Sequence, residues 1–427
     1  MDQIERSVEL TASSGDRSVP RRGHWAVFLS VLGPGLVVML ADTDVGSIIT
    51  AAQSGAQWGY RLLLLQLLLM PVLFVVQELT VRLAIFTGRG HGELIRTSFG
   101  KGWAWVSVAG LGIATMGALL TEFSGVAGVG ELFGVPRAVS LALSAVVLLG
   151  VVLTGSYRRV ERVAIALGLF ELAFFVVAWQ SHPQGVQLIN GLLHVPVRDH
   201  QYQYLIAANI GAVIMPWMIF YQQSAVADKK LRPVHYRYAR WDTAIGSIIT
   251  QAVMAAVLVA TAATIGRMQG GASLNSISDI TRVLVPVLGE HVGRVVFGLG
   301  TIGAAMVAAI VVSLASAWGF GEVTGYRHSL EHHPLEAPWF YGIYTLAVIG
   351  GAVVVALAPD LIALNIGVEV MNALMLPVVL GFLVLLAFRA LPAEHRLRGG
   401  YAWFVVIIAL LTAGLGVYGG LSGAHLF

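Results

Sequence analysis

The sequence predicts an all-α membrane protein, a bundle of spanning helices, and three observations carry that prediction. Of its 427 residues 57% are hydrophobic and only 11% are charged. A water-soluble domain keeps roughly a quarter of its residues charged to cover its surface. Mean hydropathy is +0.79. The apolar residues also gather in long runs, each able to supply the roughly 20 residues that a helix needs to cross the hydrocarbon. A soluble enzyme is excluded.

Eleven such runs can be placed, at about residues 25–57, 59–86, 103–133, 137–155, 160–180, 202–226, 243–265, 291–318, 339–358, 361–389 and 401–422. They use up the chain and leave no stretch for a soluble catalytic domain. Residues 1–23 are polar, include Pro20, Arg21 and Arg22, and lack the short apolar core of a signal peptide. They read as a cytoplasmic tail ahead of a single transmembrane domain over 24–427. With the amino terminus inside, 19 of the 26 Lys and Arg fall in inner segments. Six fall outside (Arg61, Arg137, Arg198, Arg267, Arg282 and Arg294), and Arg82 lies within the second run. That asymmetry is the expected sign of inner loops, and it puts the carboxyl terminus outside a bacterial-type inner membrane. The absence of cysteine excludes thiolate metal sites and disulfides. A net charge of +3 gives no argument for nucleic acid. The bilayer is the expected partner, and nothing calls for more than a monomer.

Two runs depart from plain helix. The first contains Gly33-Pro34-Gly35 and then Ala41-Asp42-Thr43-Asp44-Val45-Gly46-Ser47, which sets two carboxylates and a glycine at midspan. A charge at that depth costs several kcal/mol unless it meets water, a partner or an ion. The sixth contains Gly211-Ala212-Val213-Ile214-Met215-Pro216-Trp217. Its proline cannot donate a backbone hydrogen bond and clashes with the preceding turn. Both helices are expected to unwind there, which is tolerated only where protein or a water-filled cavity satisfies the backbone. The two lie five runs apart, as expected if helices 1–5 (about 24–180) and 6–10 (about 202–389) are inverted repeats that hold a substrate between broken helices. The run at 401–422 is then an addition.

Unwound backbone exposes carbonyl oxygens, and half-helix carboxyl ends carry partial negative charge. With Asp44 alongside, the expected site is for a cation. An anionic organic substrate would call for a buried basic residue, and Arg82 is the only Lys or Arg more than three residues inside a run. No intramembrane constellation of nucleophile and base is present, so enzymatic activity is not expected.

At these positions the chain resembles the NRAMP family of divalent-metal transporters. Gly33-Pro34-Gly35 with Asp44-Val45-Gly46-Ser47 is similar to the family's first-helix element, a Gly-Pro pair ahead of Asp-Pro-Gly-Asn. Ala212-Val213-Ile214-Met215-Pro216 matches its sixth-helix Ala-x-x-Met-Pro. Similarity continues through Gln53-Ser54-Gly55-Ala56-Gln57-Trp58-Gly59-Tyr60 and Thr87-Gly88-Arg89. The resemblance implies a LeuT-like inverted repeat with helices 1 and 6 broken. It also implies metal contacts from Asp44, the Ala212 carbonyl and the Met215 thioether, with Ser47 where the family has Asn. Glu369 in the tenth run stands near a polar ligand position of the family, and Asn372 follows one turn later.

The departures also inform. Trp217 and Gln222 stand where the family carries two histidines, and Leu119 stands where it has an Asp, although Glu122-Phe123 remains. Histidine titrates near neutral pH, and buried carboxylate and imidazole chains are the usual intramembrane proton relays. The pattern is similar to the divergent NRAMP-related magnesium transporters, which implies import of Mg²⁺, and also Mn²⁺, by alternating access without proton cotransport and with no cofactor. The alternative is a proton-coupled Mn²⁺ or Fe²⁺ symporter of the family's usual kind, with Glu122 as main relay; an amino-acid transporter of similar architecture is a third reading. Mg²⁺ suits one or two carboxylates and retained water, whereas a thioether selects softer ions. Asp42 is a candidate second acid of the vestibule, although two residues from Asp44 it can project differently. Bland roles stand beside the others: Asp44 as an amino cap of the second half-helix, Ser47 bonded to helix backbone, Met215 in packing, Glu122 in a structural pair, and Trp217 in packing or gating.

Overall fold

The computed structural model describes residues 28, 30–193, 195–265, 274, 277–357 and 364–423. The expected cytoplasmic tail, 1–23, lies outside the described residues. Every regular element is helical. α1 (Pro34–Asp42) and α2 (Val45–Trp58) are followed by α3 (Leu63–Thr87), α4 (His91–Phe99), α5 (Lys101–Leu132) and α6 (Arg137–Val152). α7 (Tyr157–Gly168) and α8 (Ala173–Gln180) flank a 3₁₀ turn, Leu169–Leu172, and α9 (Gly185–Leu193) follows. The second half holds α10 (His200–Val213), α11 (Pro216–Asp228), α12 (Tyr236–Thr264) and α13 (Ile277–Leu288), then α14 (Glu290–Thr324), α15 (Pro338–Leu357), α16 (Leu364–Arg389) and α17 (Gly399–Gly423).

Among the described residues nine helical stretches are long and apolar enough to span a membrane, rather than the expected eleven. The difference has a local cause. α2 is capped by Gly59, φ 58°, ψ −132°, and the 3₁₀ turn Gly59–Leu62 leads on to α3 with no gap in helical residues. The 43-residue stretch Val45–Thr87 therefore joins the last part of the first expected run to the whole of the second. The fourth expected run forms only the 16 residues of α6, about 24 Å at 1.5 Å per residue. The short helices α4, α9 and α13 were not expected from hydropathy. α4 carries Glu93 in its first turn and Arg96 in its last, and such charge keeps it out of any apolar run.

Burial sorts the bundle into centre and rim. In His200–Asp228, 89% of the most apolar window is enclosed by protein, against 28% in Tyr157–Gln180 and 33% in Gly399–Ser422. The sixth expected helix is therefore central, packed against α16, α17, α3 and α14. The rim exposes large apolar side chains such as Leu143, Val146, Trp179 and Leu410, which suits lipid contact.

Both predicted interruptions are present. Pro34 and Pro216 each occupy the first turn of a half-helix, where the missing N–H costs nothing. Pro216 also forces the residue before it out of the helical region: Met215 sits at φ −100°, ψ 143°.

Candidate functional site

The first break spans two residues. Thr43 leaves helical geometry at φ −78°, ψ 45°, and Asp44 is extended at φ −73°, ψ 172°. Asp44 then caps α2, its Oδ1 accepting from the Ser47 backbone N–H at 2.7 Å. Its Oδ2 is buried and takes no hydrogen bond. In the second break Ile214 and Met215 are both non-helical, and Met215 is fully enclosed. The two breaks touch, because Ser47 Oγ donates to the Ala212 carbonyl oxygen at 3.0 Å.

α16 closes on this junction, and two glycines admit it. A Cβ on Gly46 would lie 2.2 Å from Glu369 Oε1, and one on Gly211 would lie 1.8 Å from the Glu369 carbonyl oxygen. Asn372 Nδ2 donates to Glu369 Oε2 at 3.1 Å, and Asn372 Oδ1 is left without a donor. From α5, Glu122 Oε2 accepts from the Val45 N–H at 3.3 Å, while Oε1 has no partner. Asp44, Glu122 and Glu369 are each at most 1% exposed, and among the described residues none of them belongs to an ion pair. Buried acceptors without donors are rare in folded proteins and ask for an explanation; around a cluster of acids, a cation is the natural one.

Asp44, Ser47, Ala212, Met215, Glu369, Glu122 and Asn372 thus gather at one junction. Among the described residues no group of three or more His, Asp or Glu forms a ligand cluster by itself, so any ion held here draws on hydroxyl, carbonyl or thioether donors as well. Trp217 is buried in the first turn of α11 with its indole N–H unpaired. The Gln222 amide oxygen accepts from Thr80 Oγ1 at 2.7 Å and its N–H donates to Thr243 Oγ1 at 2.9 Å, so it ties α3 to α12. Six residues beyond Pro216, it lies about 9 Å along the helix axis from the break. Asp42 turns to α12, where Thr250 Oγ1 donates to its Oδ2 at 3.5 Å. Arg82 is paired with Glu78 at 2.9 Å, away from the junction.

Three functional-looking residues escape the sequence reading. Asp242 on α12 accepts from the N–H groups of Gly33, Gly35 and Leu36 at 3.2, 2.8 and 3.1 Å and so holds the start of α1. Lys229 donates to the Val31 and Leu32 carbonyls at 3.2 and 3.0 Å and to Glu161 Oε1 at 2.7 Å. A cavity of about 930 Å³ opens beside this clasp, lined in part by Tyr157, Glu161, Lys229 and His235. These charges read in sequence as an ordinary polar connection. The third, Glu171 in the 3₁₀ turn between α7 and α8, could have been found by the rule that singled out Asp44, since it is an acid in mid-run.

The profile of the natural resistance-associated macrophage protein-like family matches residues 35–422. The divalent metal cation transporter MntH of Klebsiella pneumoniae is 28% identical over 97% of this chain and 100% of its own. The manganese transporter of Eremococcus coleocola superposes with a TM-score of 0.75 at 20% identity, covering 95% of this chain and 90% of that one. MhsT, solved in complex with L-phenylalanine, reaches 0.58 at 14% identity over 92% and 98% of the two chains. At such identities the two structures establish fold alone: an all-α, multi-span bundle of the LeuT-like inverted-repeat kind.

Proposed function

This chain belongs to the natural resistance-associated macrophage protein-like family, and on that premise we propose that it carries a divalent metal ion, Mn²⁺ or Fe²⁺ ahead of Mg²⁺, across a membrane by alternating access. It is a transporter and not an enzyme. One observation carries the proposal: the two broken helices meet at the Ser47–Ala212 hydrogen bond, and beside it Asp44 keeps a buried oxygen with no donor. The ligands assigned are Asp44, Ser47, the Ala212 carbonyl, the Met215 thioether and Glu369, with Glu122, Asn372, Trp217 and Gln222 as accessory groups. Met215 ranks the softer ions first. The Klebsiella and Eremococcus relatives are named for divalent metal and for manganese, and nothing in the family match singles out a magnesium branch.

Eleven crossings with an inner amino terminus complete the reading, on the strength of the Lys and Arg asymmetry. An inside-negative potential then favours entry of a dication by about 4.6 kcal/mol per 100 mV. Trp217 and the neutral Thr80–Gln222–Thr243 chain offer no histidine relay, which supports metal entry without a proton requirement.

Uptake into proteoliposomes of Mn²⁺, Fe²⁺, Mg²⁺ and Ca²⁺, with internal pH recorded, tests this. The expected result is Mn²⁺ entry exceeding Mg²⁺ entry without acidification, abolished in Asp44→Ala. Acidification that tracks Mn²⁺ assigns a carboxylate relay through Glu122 instead. Full uptake in Asp44→Ala overturns the placement of the site.

A further inference from the structure

A second set of buried acids lies at the first break but faces different helices from the junction described above. Asp42 ends α1 and is 1% exposed; Thr250 Oγ1 donates to its Oδ2, and its Oδ1 takes no hydrogen bond. The hydroxyls of Thr43 and Thr250 are 2.7 Å apart. Glu171, fully buried, lies beside Thr43 and within electrostatic range of Asp42. Neither of its carboxylate oxygens has a hydrogen-bond partner of good geometry. It sits on a 3₁₀ interruption of its helix, so two irregular stretches of backbone face each other here. Among the described residues no Lys or Arg pairs with either acid. Two unpartnered carboxylates enclosed at this depth are costly without a positive charge between them.

We propose that Asp42 and Glu171, with the hydroxyls of Thr43 and Thr250, form a second cation site, separate from the one at Asp44, that takes a hard divalent cation. The donors are all oxygen, which suits Mg²⁺ or Mn²⁺ and gives softer ions no advantage. The charge of a dication balances the two carboxylates and leaves a neutral cluster. Asp42 and Glu171 also lie within electrostatic range of Asp44, so the two sites are neighbours, but this one uses none of Asp44, Met215 and Glu369 and can be separated from the transport site by substitution.

Full-length protein in detergent is titrated with Mn²⁺, and free Mn²⁺ is read by electron paramagnetic resonance. Two bound equivalents are expected. Glu171→Gln and Asp42→Asn, both near-isosteric, each remove one of them, and excess Mg²⁺ displaces that same equivalent more readily than the other. Thr250→Val, which deletes only a hydroxyl, weakens it about tenfold. A single equivalent in the unaltered protein, lost in Asp44→Ala and kept in Glu171→Gln, overturns the second site and leaves the transport reading intact. An equivalent lost in Glu171→Gln while Asp44→Ala loses none supports the second site and overturns the first. Where the acid variants do not fold, unchanged affinity of both equivalents in Thr250→Val overturns the proposal.

Discussion

At Asp44 one carboxylate oxygen caps α2 through the Ser47 N–H while the other is left without a donor, so capping and ion contact can be separated by substitution. Asn caps a helix about as well as Asp. Asp44→Asn should therefore keep the unfolding temperature near that of the parent yet lose metal uptake, because the negative charge is gone. A parallel fall in both would assign Asp44 to the cap alone. Met215 permits a similar separation. Met215→Leu conserves volume and should cost less than about 1.5 kcal/mol, whereas loss of the thioether removes the preference for softer ions. The expected outcome is a smaller ratio of Mn²⁺ to Mg²⁺ uptake, read by competition in proteoliposomes; an unchanged ratio would place the sulfur outside the coordination shell. Asp44 was legible because an acid at midspan breaks a local rule of spanning helices; Pro216 marked the second break in the same way, and the role of Met215 beside it came through resemblance. Glu369 was found only through resemblance. Its nearness to Gly46 comes from a packing across more than 300 positions of sequence, which no local pattern records.

Helix halves move as units, and what holds them is where gating can be tested. The Asp242 carboxylate takes three N–H groups from the start of α1, satisfying donors that a helix amino end leaves orphaned. Lys229 adds a clasp to the carbonyls of Val31 and Leu32 and to Glu161. Hydrogen bonds to a charged group contribute about 1.5–3 kcal/mol, so breaking this set should raise opening of α1 at least about tenfold. The chain has no cysteine, and Val31 is buried. In a Val31→Cys background, Asp242→Ala should accelerate thiol labelling by that factor; equal rates would show that Asp242 does not restrain α1. Hydropathy foretold that α1 and α2 would separate at Asp42–Asp44, because Pro34 and the acids mark the half-helices. It did not foretell the clasp, since Lys229 and Asp242 are common residues in a basic connection and acquire their role only when α1 is brought to them.

Among the described residues, large apolar side chains cover the rim as well as filling the core, unlike a soluble domain, and buried polar groups gather in a few knots between helices. A second buried knot supports the same frame. Glu78 on α3 is bonded to Arg82 at 2.9 Å, to the Tyr401 hydroxyl on α17 at 3.0 Å and to the Tyr236 hydroxyl on α12. Removing one member of a buried pair costs about 3–5 kcal/mol; Arg82 keeps 15% exposure, which favours the lower end. Glu78→Leu should therefore lower stability by about 3 kcal/mol, measured by thermal unfolding in detergent, and loosen α17. No change in unfolding would mean that Arg82 reaches water without Glu78. The count of spans shows where hydropathy stops being decisive. A run of apolar residues specifies a helix but not where it stops: α2 is capped by Gly59, whose φ of 58° leaves helical geometry, and a 3₁₀ turn leads into α3.

By itself the sequence determined the solvent of this protein, the positions of its two broken helices and the residue types at the break. Each follows from a local free energy: the transfer of apolar side chains into lipid, the cost of a midspan charge, and the missing N–H of proline. Only the tertiary structure decided which donors share a centre, that Gln222 bridges Thr80 and Thr243, and that Asp42 takes a hydrogen bond from Thr250 and lies near Glu171. Those outcomes depend on how helices distant in sequence approach one another, and the approach is set by small residues such as Gly46 and Gly211, whose absent side chains leave no hydropathy signal at all.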